Sequence, residues 1–359
     1  MEDVIVCGAG PAGCAAAITI SRASPTARIL LLEAGSYPRP KVCGEFLSPE
    51  ATALYQSLVA DSNDLSSAIR IERVTFHSSA ARATLRLPRP ALSLTRNVLD
   101  HSLWCAASAS QVECHEKTRV LHVRRLDDTF EVQTSRDLLQ ARAVINATGR
   151  WSELNNSIEG RTRLIGIKCH FETSEAGPAV CNLHFFPGGY LGRQPIAHNA
   201  VSASALVDAS RFRNLQDVFS AVNLQDVTAE WKPTMDPITC PPIRFTTPQP
   251  TGGGCLNCGD AAAFIDPFAG DGISLALHSG VLAGRIALSG LSGTSIDDVA
   301  KLYCREYLTH FAGAFRYAAR IRSFALSDSG WKRSLLINGL RFPPLAQAAL
   351  LRTRASQFA

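Results

Sequence analysis

The stretch from Val4 to Glu33 constrains this chain more than any other part of it. Val4-Ile5-Val6-Cys7 is a short apolar run, Gly8-Ala9-Gly10-Pro11-Ala12-Gly13 follows, and Cys14 to Ser21 is Ala-rich with helical composition. Arg28-Ile29-Leu30-Leu31-Leu32-Glu33 is a second apolar run that ends in an acid. Strand, glycine turn, helix and strand in that order form one βαβ unit, right-handed with parallel strands. In such a unit Gly8 permits the tight turn, Gly10 lets the backbone approach a pyrophosphate, and Gly13 allows close helix-strand packing. The helix N-terminus at Pro11 and Ala12 turns N–H groups and a partial positive charge toward the phosphates. Glu33, with Ala34 beside it, stands twenty residues beyond Gly13, where its carboxylate can accept hydrogen bonds from a ribose diol. A lone glycine fingerprint is weak, but this one has its flanking strand, helix and acid.

With 359 residues, nearly half of them apolar, the chain can bury a nucleotide domain and a second domain threaded into it. No segment reads as an uninterrupted membrane span, and Met1-Glu2-Asp3 runs directly into a buried-strand pattern rather than a signal peptide. A soluble, cytoplasmic protein is therefore expected. The net charge of +5 is modest and its Lys and Arg residues are scattered, which argues against nucleic acid as a partner. Eleven cysteines at irregular spacings suit reduced, packed thiols better than a disulfide framework. Cys255 and Cys258 form a C-x-x-C, but they fall in a buried-strand pattern with no second pair, so neither a metal site nor a redox pair is expected.

Further along, alternating segments between Val74 and Pro90 predict strands that leave the nucleotide domain, and Ser93 to Ala109 returns as a helix. Strands are expected over Gln111 to Val123, Phe130 to Val132 and Ala141 to Ala147. Ile165 to Phe171, Cys181 to Phe186 and Ala200 to Val207 make a mainly β region with a turn at Pro187-Gly188-Gly189-Tyr190. After Ile273 the chain reads as helical, with breaks near Gly290 to Thr294 and at Pro343-Pro344. The resulting expectation is an α/β fold. Its Rossmann-type domain takes residues 1–73, 91–160 and 250–295, an interleaved, mainly antiparallel β substrate domain takes 74–90 and 161–249, and a C-terminal helical region takes 296–359.

Tyr37-Pro38-Arg39-Pro40-Lys41-Val42-Cys43-Gly44-Glu45-Phe46-Leu47-Ser48-Pro49 resembles the segment after the first βαβ unit in the geranylgeranyl reductases, within the flavoproteins related to para-hydroxybenzoate hydroxylase. Gly259-Asp260-Ala261-Ala262-Ala263-Phe264-Ile265-Asp266-Pro267-Phe268-Ala269-Gly270-Asp271-Gly272-Ile273 resembles that group's second flavin motif. Lesser matches are Arg96 with Asp100, Asn146-Ala147-Thr148-Gly149, and Phe185 to Tyr190. The resemblance implies bound FAD, with Asp260 on its ribityl and phosphate end. Pro267, Gly270, Asp271, Gly272 and Ile273 would lie along the N1/O2 edge of the ring, where a helix N-terminus stabilises reduced flavin. Gly259, Thr148, Gly149 and Val120 are counted with the cofactor site, and Arg39, Lys41 and Arg96 are candidate partners for phosphate, ribose or a passing NAD(P)H.

Cys43 and Gly44 are placed by the same resemblance near the reactive face of the flavin, so Cys43, His184 and Tyr190 are the candidate catalytic residues. A lone histidine on a sheet is more often packed than catalytic, and His170 ranks below His184. A single fingerprint leaves no room for a separate nicotinamide domain, so NAD(P)H is expected to visit transiently or a redox partner to supply electrons. The first expectation is a monooxygenase-type tailoring enzyme that oxidises a small hydrophobic or aromatic intermediate, carried or not by a carrier protein. Alkene reduction on an isoprenoid is the second. Halogenation ranks low, because the Trp-x-Trp-x-Ile-Pro string of flavin halogenases is missing and Trp151 stands alone. A non-catalytic flavin binder is the remaining class. The tail from Lys332 to Ala359 interleaves apolar residues with Arg and could touch a membrane weakly, although a packed helical pair is its plainer role.

Overall fold

The computed structural model describes residues 1–59, 65, 66, 68–150, 154 and 162–354. The chain opens with β1 (Glu2–Cys7), α1 (Pro11–Ala23) and β2 (Ile29–Leu32). It continues through β3 (Phe46–Leu47), α2 (Pro49–Val59), β4 (Ile69–His77), β5 (Arg82–Ser93) and α3 (Arg96–Ser108). Next come β6 (Glu113–His115), β7 (Val120–Leu126), β8 (Thr129–Thr134) and β9 (Leu138–Asn146). The long strands β10 (Leu164–Glu172), β11 (Val180–Phe186), β12 (Gly189–Ala197) and β13 (Ala200–Asp208) precede α4 (Leu215–Ala221) and α5 (Gln225–Thr228). Short strands β14 (Lys232–Pro233), β15 (Ile238–Thr239), β16 (Thr251–Gly252) and β17 (Cys255–Asn257) lead to α6 (Gly272–Leu291), α7 (Ile296–Ala325), α8 (Gly330–Gly339) and α9 (Pro343–Thr353).

Two sheets divide the molecule. The first has the order β16-β17-β9-β1-β2-β6, parallel from β17 to β6, with the β7–β8 hairpin added beside β9. Val4 through Cys7 are buried on both faces, which is why the strand reads as a continuous apolar run. Val4 and Val6 face a core shared with α1, α3 and α6, whereas Ile5 and Cys7 face the β7–β9 layer. The second sheet has the order β14-β10-β13-β12-β11-β4-β5-β3 and is antiparallel except where β11 meets β4. Its β4–β5 hairpin arises from the first half of the chain and its β10–β13 meander from the second, as the interleaved arrangement requires.

Several boundaries differ from the sequence reading for identifiable reasons. The helix expected from Ser93 begins at Arg96, because Ser93 still pairs with Phe46 and Ile69 in the sheet. The strand expected over Gln111 to Val123 is split at Lys117, which takes φ 53°. β12 was hidden by Gly189, Gly192 and Pro195, which dilute its alternation, and α2 gave no clear period. The break expected at Pro343-Pro344 is present between α8 and α9, and the two prolines open α9 at positions where no backbone N–H is needed. α6 is long and apolar enough to cross a membrane by length and composition, yet most of it is buried against α1 and α7.

The crossing of α1 and α6 is unusually close. A Cβ on Gly280 would lie 2.1 Å from the Ala12 carbonyl oxygen, and one on Gly284 would lie 2.7 Å from that of Ala16. Gly13 fits by the same logic, since its Cβ would lie 1.8 Å from the Gly8 carbonyl oxygen. Gly280→Ala is therefore expected to cost about 1–3 kcal/mol, as overpacking at a closed contact does. Urea denaturation at unchanged m-value checks this, and a variant as stable as the parent would refute the packing argument.

Candidate active site

Three loops meet at the C-terminal ends of the parallel strands. A Cβ on Gly8 would lie 2.5 Å from the Ala147 carbonyl oxygen, and one on Gly259 would lie 2.9 Å from Ala12 Cβ, so the segments 8–13, 147–149 and 258–260 share one cleft. This is the place expected of a dinucleotide in a doubly wound sheet. Backbone is open there for close approach. A Cβ on Gly10 would meet only Lys41 Nζ at 3.9 Å, and those on Gly44 and Gly149 would meet nothing within 4 Å. Gly8 and Gly149 both have positive φ, 97° and 81°.

At one end of the cleft the buried Glu33 accepts hydrogen bonds from the N–H groups of Ala9 at 3.1 Å and Gly35 at 2.9 Å, and pairs with Arg39 at 2.6 Å. Lys41 lies over the Tyr37 ring and pairs with Asp100 at 2.7 Å, while Arg96 holds Asp100 through two hydrogen bonds of 2.7 and 2.8 Å. Burial alone would raise the Asp100 carboxyl, but the Arg96 and Lys41 charges outweigh it and hold it below the ordinary range. Asp260 lies just beyond β17. It sits in a 3-10 turn, about one-third exposed, with Arg150 at 3.3 Å. The donors at Gly10 to Gly13, the Glu33 acceptor and the open carboxylate of Asp260 fit the two halves of FAD. Val120 packs its side chain with Cys7 and Leu32 in the core of the first sheet. Thr148 donates through its backbone N–H and its hydroxyl to Asn146 Oδ1 and so fixes the third loop.

The strongest feature had been passed over. Glu45 is buried, adopts φ 61°, and links the start of α3 to the second sheet. One carboxylate oxygen accepts from Lys168 Nζ at 2.5 Å and from the Arg96 N–H at 2.9 Å, and the other meets His170 Nε2 at 2.7 Å. Its carbonyl oxygen accepts from Leu94 and Gln194, which hold the strained backbone in place. Burial would raise the Glu45 carboxyl, but His170 and Lys168 outweigh that and lower it. Cys43, two residues earlier, accepts from the Glu45 N–H at 3.4 Å and lies within reach of Arg96. The signal in the sequence was Lys168 inside an otherwise apolar strand, which only a buried acid can make tolerable.

An apolar pocket opens between Gly44 and the Pro267–Gly270 loop, walled by Phe46, Val74, Leu183, Tyr190, Phe268 and Leu350. Tyr190 is buried beside Phe185 and Phe268, and burial pushes its hydroxyl well above the ordinary value. Asp266, at the start of that loop, pairs with Arg322 at 2.7 Å, yet burial raises its carboxyl to about 7. His184 requires correction. Cys181 and Leu183 face the pocket, so strand alternation turns His184 to the reverse side of the sheet. There it stacks on His77 at 4.3 Å, and burial, His77 and Arg193 lower it to about 3. It stays neutral and away from the chemistry, whereas His170, ranked lower, reaches Glu45. Cys255 and Cys258 are buried in different cores and both thiols are pushed up by burial, as expected of packing cysteines. Among the described residues no group of His, Cys, Asp and Glu could hold a metal ion. Trp151 lies outside the described residues.

A family model for pyridine nucleotide-disulphide oxidoreductases matches residues 5–177. The chain is 25% identical over 350 residues to a menaquinone reductase of Mycolicibacterium smegmatis, covering 89% of this chain and 83% of that protein. It is 24% identical to digeranylgeranylglycerophospholipid reductase 2 of Methanosphaera stadtmanae, covering 90% and 88%. Among solved structures, a geranylgeranyl bacteriochlorophyll reductase-like protein of Thermoplasma acidophilum superposes with a TM-score of 0.81 at 17% identity over 98% of this chain and 95% of that one. A flavin-dependent brominase gives a TM-score of 0.81 at 18% identity, covering 98% and 93%, which speaks to fold alone.

The Glu45 cluster makes a quantitative prediction. Glu45→Ala leaves Lys168 buried without its counter-charge and should cost about 3–5 kcal/mol, whereas Glu45→Ala with Lys168→Met should cost less than Glu45→Ala alone. Because the folded carboxyl is lowered, its contribution is present above the unfolded value of about 4.3 and is lost as pH falls through the folded value. Denaturation of the two variants against pH checks both statements; equal losses in the single and double variants would contradict them.

Proposed function

We propose that this chain, an FAD-dependent oxidoreductase of the geranylgeranyl reductase-like flavoprotein superfamily, reduces carbon–carbon double bonds in a long hydrophobic isoprenoid chain. One observation carries the choice of chemistry. The pocket beside Gly44 and Pro267–Gly270 is walled mainly by apolar and aromatic side chains, with Arg193, Gln194, Ser204 and Arg354 also in its lining, and among the described residues no carboxylate or imidazole faces it. Hydroxylation of a phenol gains from a base that draws off the phenolic proton, and this wall offers none. A hydrocarbon needs only exclusion of water and shape. The reductase names of the curated relatives lean the same way, and they move alkene reduction ahead of the monooxygenase reading drawn from the sequence.

Bound FAD supplies hydride-transfer chemistry, recharged by NAD(P)H or a redox partner. The chain holds the cofactor through Gly10 to Gly13, Glu33, Asp260 and the N-terminal end of α6. The sheet wall and Phe268 keep water out. Saturating a double bond also needs a proton at the second carbon; Tyr190 is the protic group of the pocket wall on which a buried acid bears, and Cys43 stands beside Gly44. Asp266, whose charge bears on the Tyr190 hydroxyl, is the buried acid able to resupply it.

Anaerobic turnover of an isoprenoid lipid with NAD(P)H should add two hydrogens per double bond and incorporate no labelled oxygen, whereas product formed only with oxygen and carrying the label would restore the monooxygenase. An acid must be protonated to give its proton, so kcat should fall as pH rises through about 7. Asp266→Asn should flatten that limb and lower kcat roughly 10- to 100-fold, at the low end of general acid effects. An unchanged profile would remove Asp266 from the proton route.

A further inference from the structure

We infer that the outer face of α8 and α9 docks on an anionic lipid bilayer, placed so that a lipid chain passes from the membrane into the pocket behind α9. The second half rests on the proposed isoprenoid substrate; the docking face stands on the surface itself.

Ten large apolar side chains are exposed among the described residues, and five of them fall between positions 331 and 351. Trp331 is 64% exposed, Leu335 57%, Phe342 64%, Leu345 57% and Leu351 76%. Trp331 and Leu335 lie one turn apart on α8, so they share a face. The two helices do not need this face for their own packing. Ile337 and Ala346 are buried, and Leu336, Leu340 and Leu350 pack inward against the apolar cluster of the pocket.

The charges within this segment have one sign. Residues 330–359 hold five Lys and Arg and no Asp or Glu. Two of the five are used inside: Arg333 donates to the Ser327 carbonyl oxygen, and Arg354 pairs with Glu50 and Asp271. Lys332, beside the Trp331 ring, together with Arg341 and Arg352, remains for the outside. Asp328, the nearest preceding acid, is taken by Arg211 at 2.7 Å.

Exposed aromatic and aliphatic groups interleaved with cations fit the headgroup region of an anionic bilayer, where the rings sit at the interface and each basic residue adds attraction. A second copy of the chain fits less well, because a twofold contact through this face would bring cations toward cations. The face also adjoins the pocket. Leu350 and Arg354 line the pocket, while Leu351 points outward, so only the width of α9 separates bilayer from cavity.

The test is sedimentation of the full-length, FAD-loaded protein with phosphatidylcholine vesicles that contain or lack phosphatidylglycerol. Binding should be at least tenfold tighter to the anionic vesicles and should weaken with salt. The variant Trp331→Ser/Phe342→Ser/Leu351→Ser should lose at least tenfold in vesicle affinity while keeping its FAD and its circular dichroism. No binding to anionic vesicles, or equal binding by the variant, overturns the proposal. So does a wild-type dimer that the same substitutions convert to a monomer, since the face would then be covered by a second copy. Rates separate docking from substrate choice. The variant should reduce detergent-dispersed isoprenoid at the parental rate and vesicle-embedded isoprenoid at least tenfold more slowly. Failure of both proteins on dispersed substrate counts against the reductase reading, while sedimentation still decides the docking.

Discussion

The contact between α1 and α6 sets the geometry on which the site depends. Two helices separated by almost 250 residues of sequence cross with backbone nearly touching backbone, because Gly280 and Gly284 present no side chain to the carbonyls of Ala12 and Ala16. Helix axes normally stay 8–10 Å apart with side chains between them. Removing those side chains brings the N-terminal ends of both helices to the same cleft. Both ends offer backbone N–H groups and a partial positive charge to that cleft, the first suited to phosphates. Neither end alone would specify an extended dinucleotide.

Glu45 performs a second coupling of a different physical kind. The α1–α6 contact joins two parts of one layer through van der Waals packing, whereas Glu45 ties that layer to the substrate sheet through buried charge. Lys168 and His170 reach it from β10, and the backbone of Arg96 reaches it from α3. A buried ion cluster of this sort contributes little net stability compared with an apolar replacement. Its value lies in position, because it fixes the Cys43–Gly44 segment between α3 and the second sheet at the rim of the pocket. A left-handed φ at a non-glycine residue is a cost that such a cluster can hold in place.

The parts of the fold carried by local pattern were legible in the sequence. The βαβ unit announced itself because its strands are buried on both faces and its glycines stand at fixed offsets. The Asp260 to Ile273 motif pointed to the right cleft, although the partner of Asp260, Arg150, comes from a loop that no local pattern connects to it. β12 was missed because glycine and proline interrupt its alternation while pairing on both sides still holds it as a strand. His184 was placed at the pocket for a related reason: alternation shows that neighbouring residues face opposite ways, but not which side faces the pocket. That assignment belongs to the tertiary arrangement, and the buried Lys168 was the one residue in the sequence able to betray it.

The division into two sheets also shapes what the pocket can accept. On its inner side the substrate sheet offers Val74, Leu183 and Tyr190, and the opposing wall is the loop from Pro267 to Gly270. The remaining side is closed by α9, a helix begun by two prolines and carrying apolar residues on both its inner and outer surfaces. A helix apolar on one face is sufficiently explained by a core beneath it; a helix apolar on two faces needs a second apolar environment. With cations spaced among the outer apolar residues, that environment must also carry negative charge, a combination that water and an ordinary protein core both lack. The bilayer proposed above would be such an environment, and it would lie one helix width from the pocket.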